Sequence, residues 1–397
     1  MRRLLPALLL LAGCDQGFRP EELVQNLRVL GINSTPADLR PGETAQMGSL
    51  ILDPSRPGEV STVLWLGCEP DPYNLDRSAC ADPAVLNDPT QLTSGGSLPP
   101  GVKVIGFNAQ AAYTAPAGLF DALAPDDQRR LTGTAGLTIA LAVAEQVSPT
   151  ATQEELNALF QRARDGQVRN ILTLYRIHLS ESTERNTNPS VAALVVGGER
   201  WPDGAAFTVL PGEPVSLDVE VPDDAFETYT DYPPEGPTTR TERILAAWYV
   251  TAGAVSHVRT AVREGEVRTI FTAPGNDDKH PVPDRRTGSL YVVLRDTRGG
   301  QSWREFHWFV CDPSLPAPNV TRVSSPATAT DPVVLEGDDL SSVLDVVVNG
   351  VALTGGAYSP TRNTWQGFLP TLPAGHYPLT VHTKSCTRLE VPGIDVP

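Results

Sequence analysis

The sequence predicts a mainly β protein: tandem β-sandwich domains, with one helical insertion in the first. Three observations carry this. Short apolar runs recur at regular spacing between turn signals. Proline and glycine number 37 and 33 while 40% of the chain remains apolar, so many turns coexist with enough apolar mass for several cores. Two stretches also repeat one order of elements: a strand, a Pro-Gly-Glu turn, a second strand, and a third strand bearing one tryptophan.

The first domain is placed at 25–182. Leu27–Ile32 reads as its first strand, and Pro41-Gly42-Glu43 as a turn with Pro and Gly at the positions a type II turn prefers. Ala45–Leu52 and Thr62–Gly67 follow as strands, the latter with Trp65, and Val102–Phe107 is the next. Leu137, Ile139, Leu141 and Val143 alternate with small residues, which assigns one apolar face of their strand inward. Thr152 and Glu155 form a T-x-x-E capping box, and Gly166 stands where a C-terminal cap belongs. Leu156, Leu159, Phe160 and Ala163 share one face of the helix so bounded, which is expected to pack on the sheet between the last two strands. Val168–Leu179 closes the domain.

The second domain, 183–315, begins in the polar stretch Glu181–Pro189, which reads as a linker. Its strands are Val191–Val196, then Val215-Leu217-Val219 after Pro211-Gly212-Glu213, then Leu245–Val250 with Trp248, Val267–Phe271, Ser289–Arg295 and Trp303–Val310. Asp296–Gly300 is a glycine-ended hairpin turn. About seven short strands with a buried tryptophan on the third describe an immunoglobulin-like sandwich. Ala247-Trp248-Tyr249, and Val292-Val293-Leu294-Arg295-Asp296 before Arg298-Gly299-Gly300, resemble PKD or cadherin-like bacterial domains, without the acidic calcium-linker motifs of true cadherins.

The third domain, 316–397, carries Gly337-Asp338-Asp339-Leu340, Val346-Val347-Val348-Asn349-Gly350 and Ala374-Gly375-His376-Tyr377 leading to Val381. These resemble the turn, hairpin and late strand of IPT/TIG domains, which implies a third immunoglobulin-like sandwich.

The N-terminus adds a delivery signal. Met1-Arg2-Arg3 precedes an apolar run, Leu4–Leu11, and then Leu11-Ala12-Gly13-Cys14 and polar residues. A charged start, a short apolar core and small residues before a cut make a secretory signal, and the run is too short for a bilayer span of about 20 residues. Leu-Ala-Gly-Cys resembles the lipobox of bacterial lipoproteins. That resemblance implies removal of residues 1–13, a diacylglycerol on the Cys14 thiol and acylation of the new amine; two or more chains hold a protein firmly on a membrane. Residues 14–24 then form a tether, the first domain rides nearest the bilayer and the third projects furthest. Asp15 resembles the inner-membrane retention signal of enterobacterial lipoproteins, a rule other bacterial groups do not follow; the expected location is lipid-anchored in the cell envelope, at the outer membrane or cell surface rather than the inner membrane.

The formal charge is -16, and loss of Arg2 and Arg3 makes it more negative still. Such a chain repels phosphate backbones, so nucleic acid is excluded as a partner. Export permits disulfides. Cys68 and Cys80 are close in sequence, flank a polar loop and are assigned to each other. Cys311 and Cys386 remain: Cys311 precedes the first strand of the third sandwich and Cys386 begins the last, and in such folds these strands run parallel and adjacent, so both cysteines meet at one pole. The cysteines show no metal-ligand spacing, and no metal or cofactor is expected.

No HExxH, GxSxG, phosphate loop or kinase set occurs, and the expectation is a non-catalytic protein. Three features are candidates for function. The acidic segment from Asp223-Asp224 to Asp231 includes Phe226, Tyr229 and Tyr232, and Asn276-Asp277-Asp278 is a second acidic loop; each reads as a calcium or glycan site or as a solvated loop. On Trp303–Val310, one face carries Trp303, His307 and Phe309 and the other Phe306, Trp308 and Val310. One of them is core, and the other is an aromatic sugar platform or an inter-domain contact. Tyr229, Tyr232, Trp303 and His307 are therefore the candidate ligand surface. The leading expectation is that the domains act as spacers and protein-interaction surfaces joined end to end, with envelope proteins as partners. The alternative is a carbohydrate-binding surface lipoprotein using aromatics of the second domain, with glycans as partners.

Overall fold

The computed structural model describes residues 20–56, 61–68, 70, 101–233, 235–262, 268–275, 281–328 and 330–396. Cys14, Cys80 and Asn276-Asp277-Asp278 lie outside them. The described chain forms three immunoglobulin-like β-sandwiches in tandem, each made of two antiparallel-dominated sheets.

In the first sandwich, strands Arg28–Thr35, Thr44–Leu52 and Ala112–Thr114 form one sheet, and Asp38–Leu39, Asn170–Leu179, Thr134–Val143, Thr62–Cys68 and Val102–Phe107 form the other in that spatial order. Between them lie Ile32, Met47, Trp65, Tyr113, Phe120 and Ile177. The inward face of Thr134–Val143 differs from its sequence assignment. Leu137, Ile139, Leu141 and Val143 point away from the opposing sheet and meet Leu156, Leu159, Phe160 and Ala163 of the helix Gln153–Arg164. The small residues of the strand, Thr138 and Ala140, face the sandwich interior, where Trp65 and Tyr113 need the room. The helix is thus a third layer, and strand Thr62–Cys68 is buried along its whole length because both its faces are covered. The capping box closes as the sequence predicts, with Thr152 Oγ1 accepting from Glu155 N and Glu155 Oε2 accepting from Thr152 N.

The second sandwich sets Glu199–Arg200, Ala193–Val196, Pro214–Glu220, Thr269–Thr272 and Ala254–Val255 against Phe207–Val209, Gln301–Val310, Thr287–Arg295, Leu245–Val250 and Arg259–Ala261. Trp248, Trp308, Phe207 and Phe271 fill its core, and the Trp248 indole donates to Thr260 Oγ1 at 2.9 Å. The sequence repeat is structural. In each Pro-Gly-Glu turn the glycine has positive φ and the glutamate carboxylate reaches back to a backbone N–H three residues earlier: Glu43 to Arg40 at 2.8 Å, Glu213 to Leu210 at 3.0 Å. In both sandwiches a short early strand also pairs parallel with the last, Asp38–Leu39 with His178–Leu179 and Phe207–Val209 with Trp308–Val310.

The third sandwich is built from Asn319–Ser324, Pro332–Asp338, Thr364–Phe368 and Thr354–Ser359 facing Val351–Ala352, Val343–Val348, Gly375–Thr383 and Arg388–Val396. Its core centres on Trp365, Leu335, Val346 and Val381. Asn349 and Gly350, both with positive φ, turn the Val-Asn-Gly hairpin. Its first and last strands run side by side but belong to opposite sheets, where Asp395 N donates to Ser325 Oγ at 3.0 Å. Cys311 and Cys386 are bridged, with Cα atoms 5.4 Å apart. Cys68 is also in a disulfide.

The first two sandwiches are not joined end to end. The outer face of Arg28–Thr35 and Thr44–Leu52 lies on the outer face of the Leu245–Val250 sheet, burying Leu30, Ala247, Tyr249, Tyr291 and Val293 with Leu50, Leu52 and Trp303. Gly31 leaves the space that Trp303 takes, since a Cβ there would stand 3.0 Å from the indole; a Cβ on Gly48 would be in ordinary contact with the indole at 3.5 Å and is excluded instead by Asn33 Oδ1. The stretch 181–189 is a clasp rather than a free linker. Arg185 spans Asp38 and Glu43 of the first sandwich, and Asn188 accepts from Gln301 N while donating to Ser34 O. The tether also differs from its expected course. Val24 is fully buried, Leu23 pairs parallel with Val250, and Glu21 is ion-paired with Arg259, so residues 20–24 dock on the second sandwich before the chain enters the first. Second and third sandwiches meet where Asp203 exchanges backbone hydrogen bonds with Gly350 and Ala352, at 2.8 and 2.7 Å, beside Trp201, Ala205 and Val347.

Two outcomes follow. Cys386→Ser opens a loop of 75 residues and lowers the stability of the third sandwich by about 4 kcal/mol in the chain-entropy picture, read as a lower denaturant midpoint for that unit alone. Trp303→Ala costs about 2 kcal/mol, less than a fully buried tryptophan. It also splits the unfolding of the first two sandwiches into separate calorimetric transitions.

Candidate functional site

The contact of the first two sandwiches leaves a cleft of about 230 Å³ at one end of their shared face. Asp38, Leu131, Thr132 and His178 line it from the first sandwich, Ser182 and Glu184 from the clasp, and Tyr229–Tyr232, Thr297 and Arg298 from the second. The hairpin Thr228–Asp231 and Thr238–Thr241 forms its own two-stranded sheet and carries both tyrosines to the cleft. Beyond the ladder Gly236 N donates to Pro233 O at 3.0 Å, and Pro233 and Pro237 have no N–H to extend the pairing.

Arg298 organises one wall. It projects from the Asp296–Gly300 turn, which is fastened by Asp296 Oδ1 accepting from Arg298 N at 2.9 Å and Gly300 N at 2.8 Å. Its guanidinium lies over the Tyr229 ring, 4.8 Å from the centroid, and is ion-paired to both Glu227 and Glu242. Such stacking holds a cation and a ring in one geometry. The Glu242 side chain is 1% exposed and Oε2 has no hydrogen-bond partner. Burial outweighs the help of Arg298 and pushes this carboxyl up to about 7, with Asp296 and Glu227 adding repulsion. Asp296 is itself raised by burial.

The other polar groups are held in place but keep free valences toward the cleft. Glu184 accepts from Thr230 N at 2.6 Å and Thr230 Oγ1 at 3.0 Å, which ties the clasp to the hairpin. Asp231 pairs with Arg240 at 2.7 Å and accepts from Tyr232 N at 3.0 Å. His178 Nε2 lies 2.9 Å from Thr132 O and donates to it, since a carbonyl oxygen only accepts. Leu131, 40% exposed, supplies apolar surface. Among the described residues no group of three metal-ligating side chains converges. Asp231 is met by an arginine instead.

Of the four residues the sequence singles out, the structure brings two together. Tyr229 and Tyr232 share the cleft. Trp303 belongs to the inter-sandwich contact, so its face of the strand is the contact rather than the sugar platform. His307 is exposed elsewhere, near Ser289 Oγ at 3.4 Å and Glu305 at 3.8 Å. Sequence reasoning misses His178, Glu184 and Arg298 as partners of the tyrosines, since the first two lie about 50 residues before Tyr229 and Arg298 about 70 after it.

No family model matches the chain, and no curated protein matches it. Solved structures similar to it include SGBP-B of the mixed-linkage glucan utilization locus of Bacteroides ovatus, in complex with a mixed-linkage heptasaccharide, at 16% identity over 53% of this chain and 48% of that one, with a TM-score of 0.18. SGBP-B from a complex xyloglucan utilization locus in Bacteroides uniformis is similar at 18% identity over 52% and 49%, with a TM-score of 0.18. A crystal structure with a xylogluco-oligosaccharide is similar at 13% identity over 93% and 60%, with a TM-score of 0.19. The chain thus spans about half the length of the first two. Scores this low carry no argument about function.

The raised carboxyls set a pH dependence. A carboxyl whose folded pKa lies above its unfolded value gives stability that is full below the ordinary carboxylate range and is lost as pH rises through the folded pKa. For Glu242 the loss runs up to about 7, and for Asp345, half-buried at the second-to-third sandwich contact where it accepts from Ala206 N, up to about 6. The thermal midpoint therefore falls between pH 5 and 8, and Glu242→Gln flattens the upper part of that fall in a differential scanning series.

Proposed function

We propose that this chain is a lipid-anchored surface lipoprotein that binds carbohydrate in the cleft between its first two sandwiches, without catalysing a reaction on it. The observation that carries the reading is the meeting of Tyr229 and Tyr232 with Glu184, Asp231 and His178 in one cleft. A sugar ring has an apolar C–H face and an edge of hydroxyls. Tyrosine rings offer stiff amphipathic platforms for the face. Carboxylates accept from hydroxyls, and charged acceptors make the stronger bonds. The clasp and the sheet-to-sheet contact hold these groups in place before a ligand arrives, which lowers the ordering cost of binding. The side-by-side packing of the first two sandwiches argues against a role as an extended spacer. The lipobox at Leu11–Cys14 supports the anchor, and no helix among the described residues is long and apolar enough to cross a membrane.

Affinity electrophoresis through gels containing soluble polysaccharides tests the binding. Mixed-linkage glucan and xyloglucan are suitable first probes. Retardation of the wild-type protein is expected on at least one polysaccharide. Tyr229→Ala and Tyr232→Ala each weaken it about tenfold, equal to about 1.4 kcal/mol, and His307→Ala leaves it unchanged. No retardation on any polysaccharide removes the reading. For the anchor, Cys14→Ser moves the protein from the membrane to the soluble fraction, and intact mass of the wild type shows the acyl additions.

A further inference from the structure

The cleft also carries information about the charge of its ligand. Three carboxylates line it, Asp38, Glu184 and Asp231, against one guanidinium, Arg298. That guanidinium is already committed to Glu227 and Glu242, and its face is covered by the Tyr229 ring. Two further arginines stand close behind the lining, and both are neutralised in place. Arg185 is held between Asp38 and Glu43, and Arg240 is held by Asp231. Among the described residues these three guanidiniums each have at least one carboxylate partner, and the Arg40 guanidinium is turned to the backbone at Ser182 O, whereas Glu184 is satisfied only by a backbone N–H and a hydroxyl.

Among the described residues, an incoming carboxylate or sulfate would meet no lining guanidinium that lacks a carboxylate partner. It would approach Glu184 and Asp231 across a partly desolvated cleft, where repulsion between like charges is screened less than in open water. Hydroxyl groups meet the reverse situation, since the same carboxylates are acceptors only and suit neutral donors.

Resting on the reading of this cleft as a saccharide site, we propose that it selects by charge: it takes uncharged glycans and rejects those bearing uronate or sulfate groups. Asp231 has the strongest part in this, because it both repels an anion and occupies Arg240. Its replacement by asparagine removes the negative charge and releases a guanidinium at the rim.

The experiment is affinity electrophoresis of the full chain at low and high salt. The neutral probes are mixed-linkage glucan, xyloglucan and hydroxyethyl cellulose, and the anionic probes are alginate, polygalacturonate and carboxymethyl cellulose. The two cellulose ethers share a backbone and differ in charge. The wild type is expected to be retarded by a neutral probe and at least about tenfold more weakly by the anionic ones at low salt, the gap narrowing at high salt. In Asp231→Asn and Glu184→Gln, checked for native folding by circular dichroism, the ratio of anionic to neutral retardation rises, more in the first. Retardation by alginate or carboxymethyl cellulose equal to that by the neutral probes overturns the charge selection and leaves the saccharide reading standing. No retardation by any probe of either charge overturns both. An unchanged ratio in both variants refutes the assignment of selection to these carboxylates.

Discussion

Trp303 packed on the backbone at Gly31 is the contact on which the arrangement of the first two sandwiches depends. Two sandwiches with complete cores of their own have no need to touch. They touch because one outer face has been cleared of side chains where the other presents an indole, and because Leu30, Tyr249, Tyr291 and Val293 lose water together around that point. The cleft is a by-product of this arrangement. Where the two faces diverge, at the end carrying the Asp296–Gly300 turn, groups from both sandwiches and from the clasp face one another across a small gap.

The junction is also where the molecule keeps its most costly electrostatics. Glu242 has an oxygen with no partner and Asp296 has another, both out of water. Uncompensated burial of a carboxylate is unfavourable. Arg298 is the group that makes this tolerable, since one planar guanidinium serves two carboxylates and a ring at once. The hairpin with the two tyrosines is thereby tied to the body of the second sandwich through its neighbours Glu227 and Glu242 rather than by a long ladder of its own.

Much of the architecture was legible in the sequence because it depends on local chemistry. The capping box at Thr152, the Pro-Gly-Glu turns and the Asn349-Gly350 hairpin are short-range constraints, and alternation locates strands whatever they pack against. Alternation does not say what covers each face. For this reason the alternation of Leu137, Ile139 and Leu141 marks an inward apolar face without telling that the helix, rather than the opposing sheet, covers it. For the same reason Trp303 remained open between platform and contact until its partner glycine, more than 250 positions away, was seen beside it. Polarity misled at 181–189. A stretch rich in Glu, Ser, Arg and Asn looks like solvent-facing chain, yet its arginine and asparagines are spent on carboxylates and backbone groups of two neighbours. The Cys311–Cys386 bridge was legible because fold topology brings the two positions together, although the flanking strands occupy opposite sheets.

The docking of residues 20–24 has a mechanical consequence. Val24 N donates to Val250 O and Val250 N donates to Glu22 O, so the incoming chain is stitched alongside a core strand of the second sandwich. A force applied at the N-terminal end is borne first by those paired hydrogen bonds and by the Glu21–Arg259 ion pair. It is passed into the Trp248 sheet before it reaches the first strand of the N-terminal sandwich. The middle sandwich therefore takes such a load first, and the N-terminal sandwich is shielded from it by its neighbour.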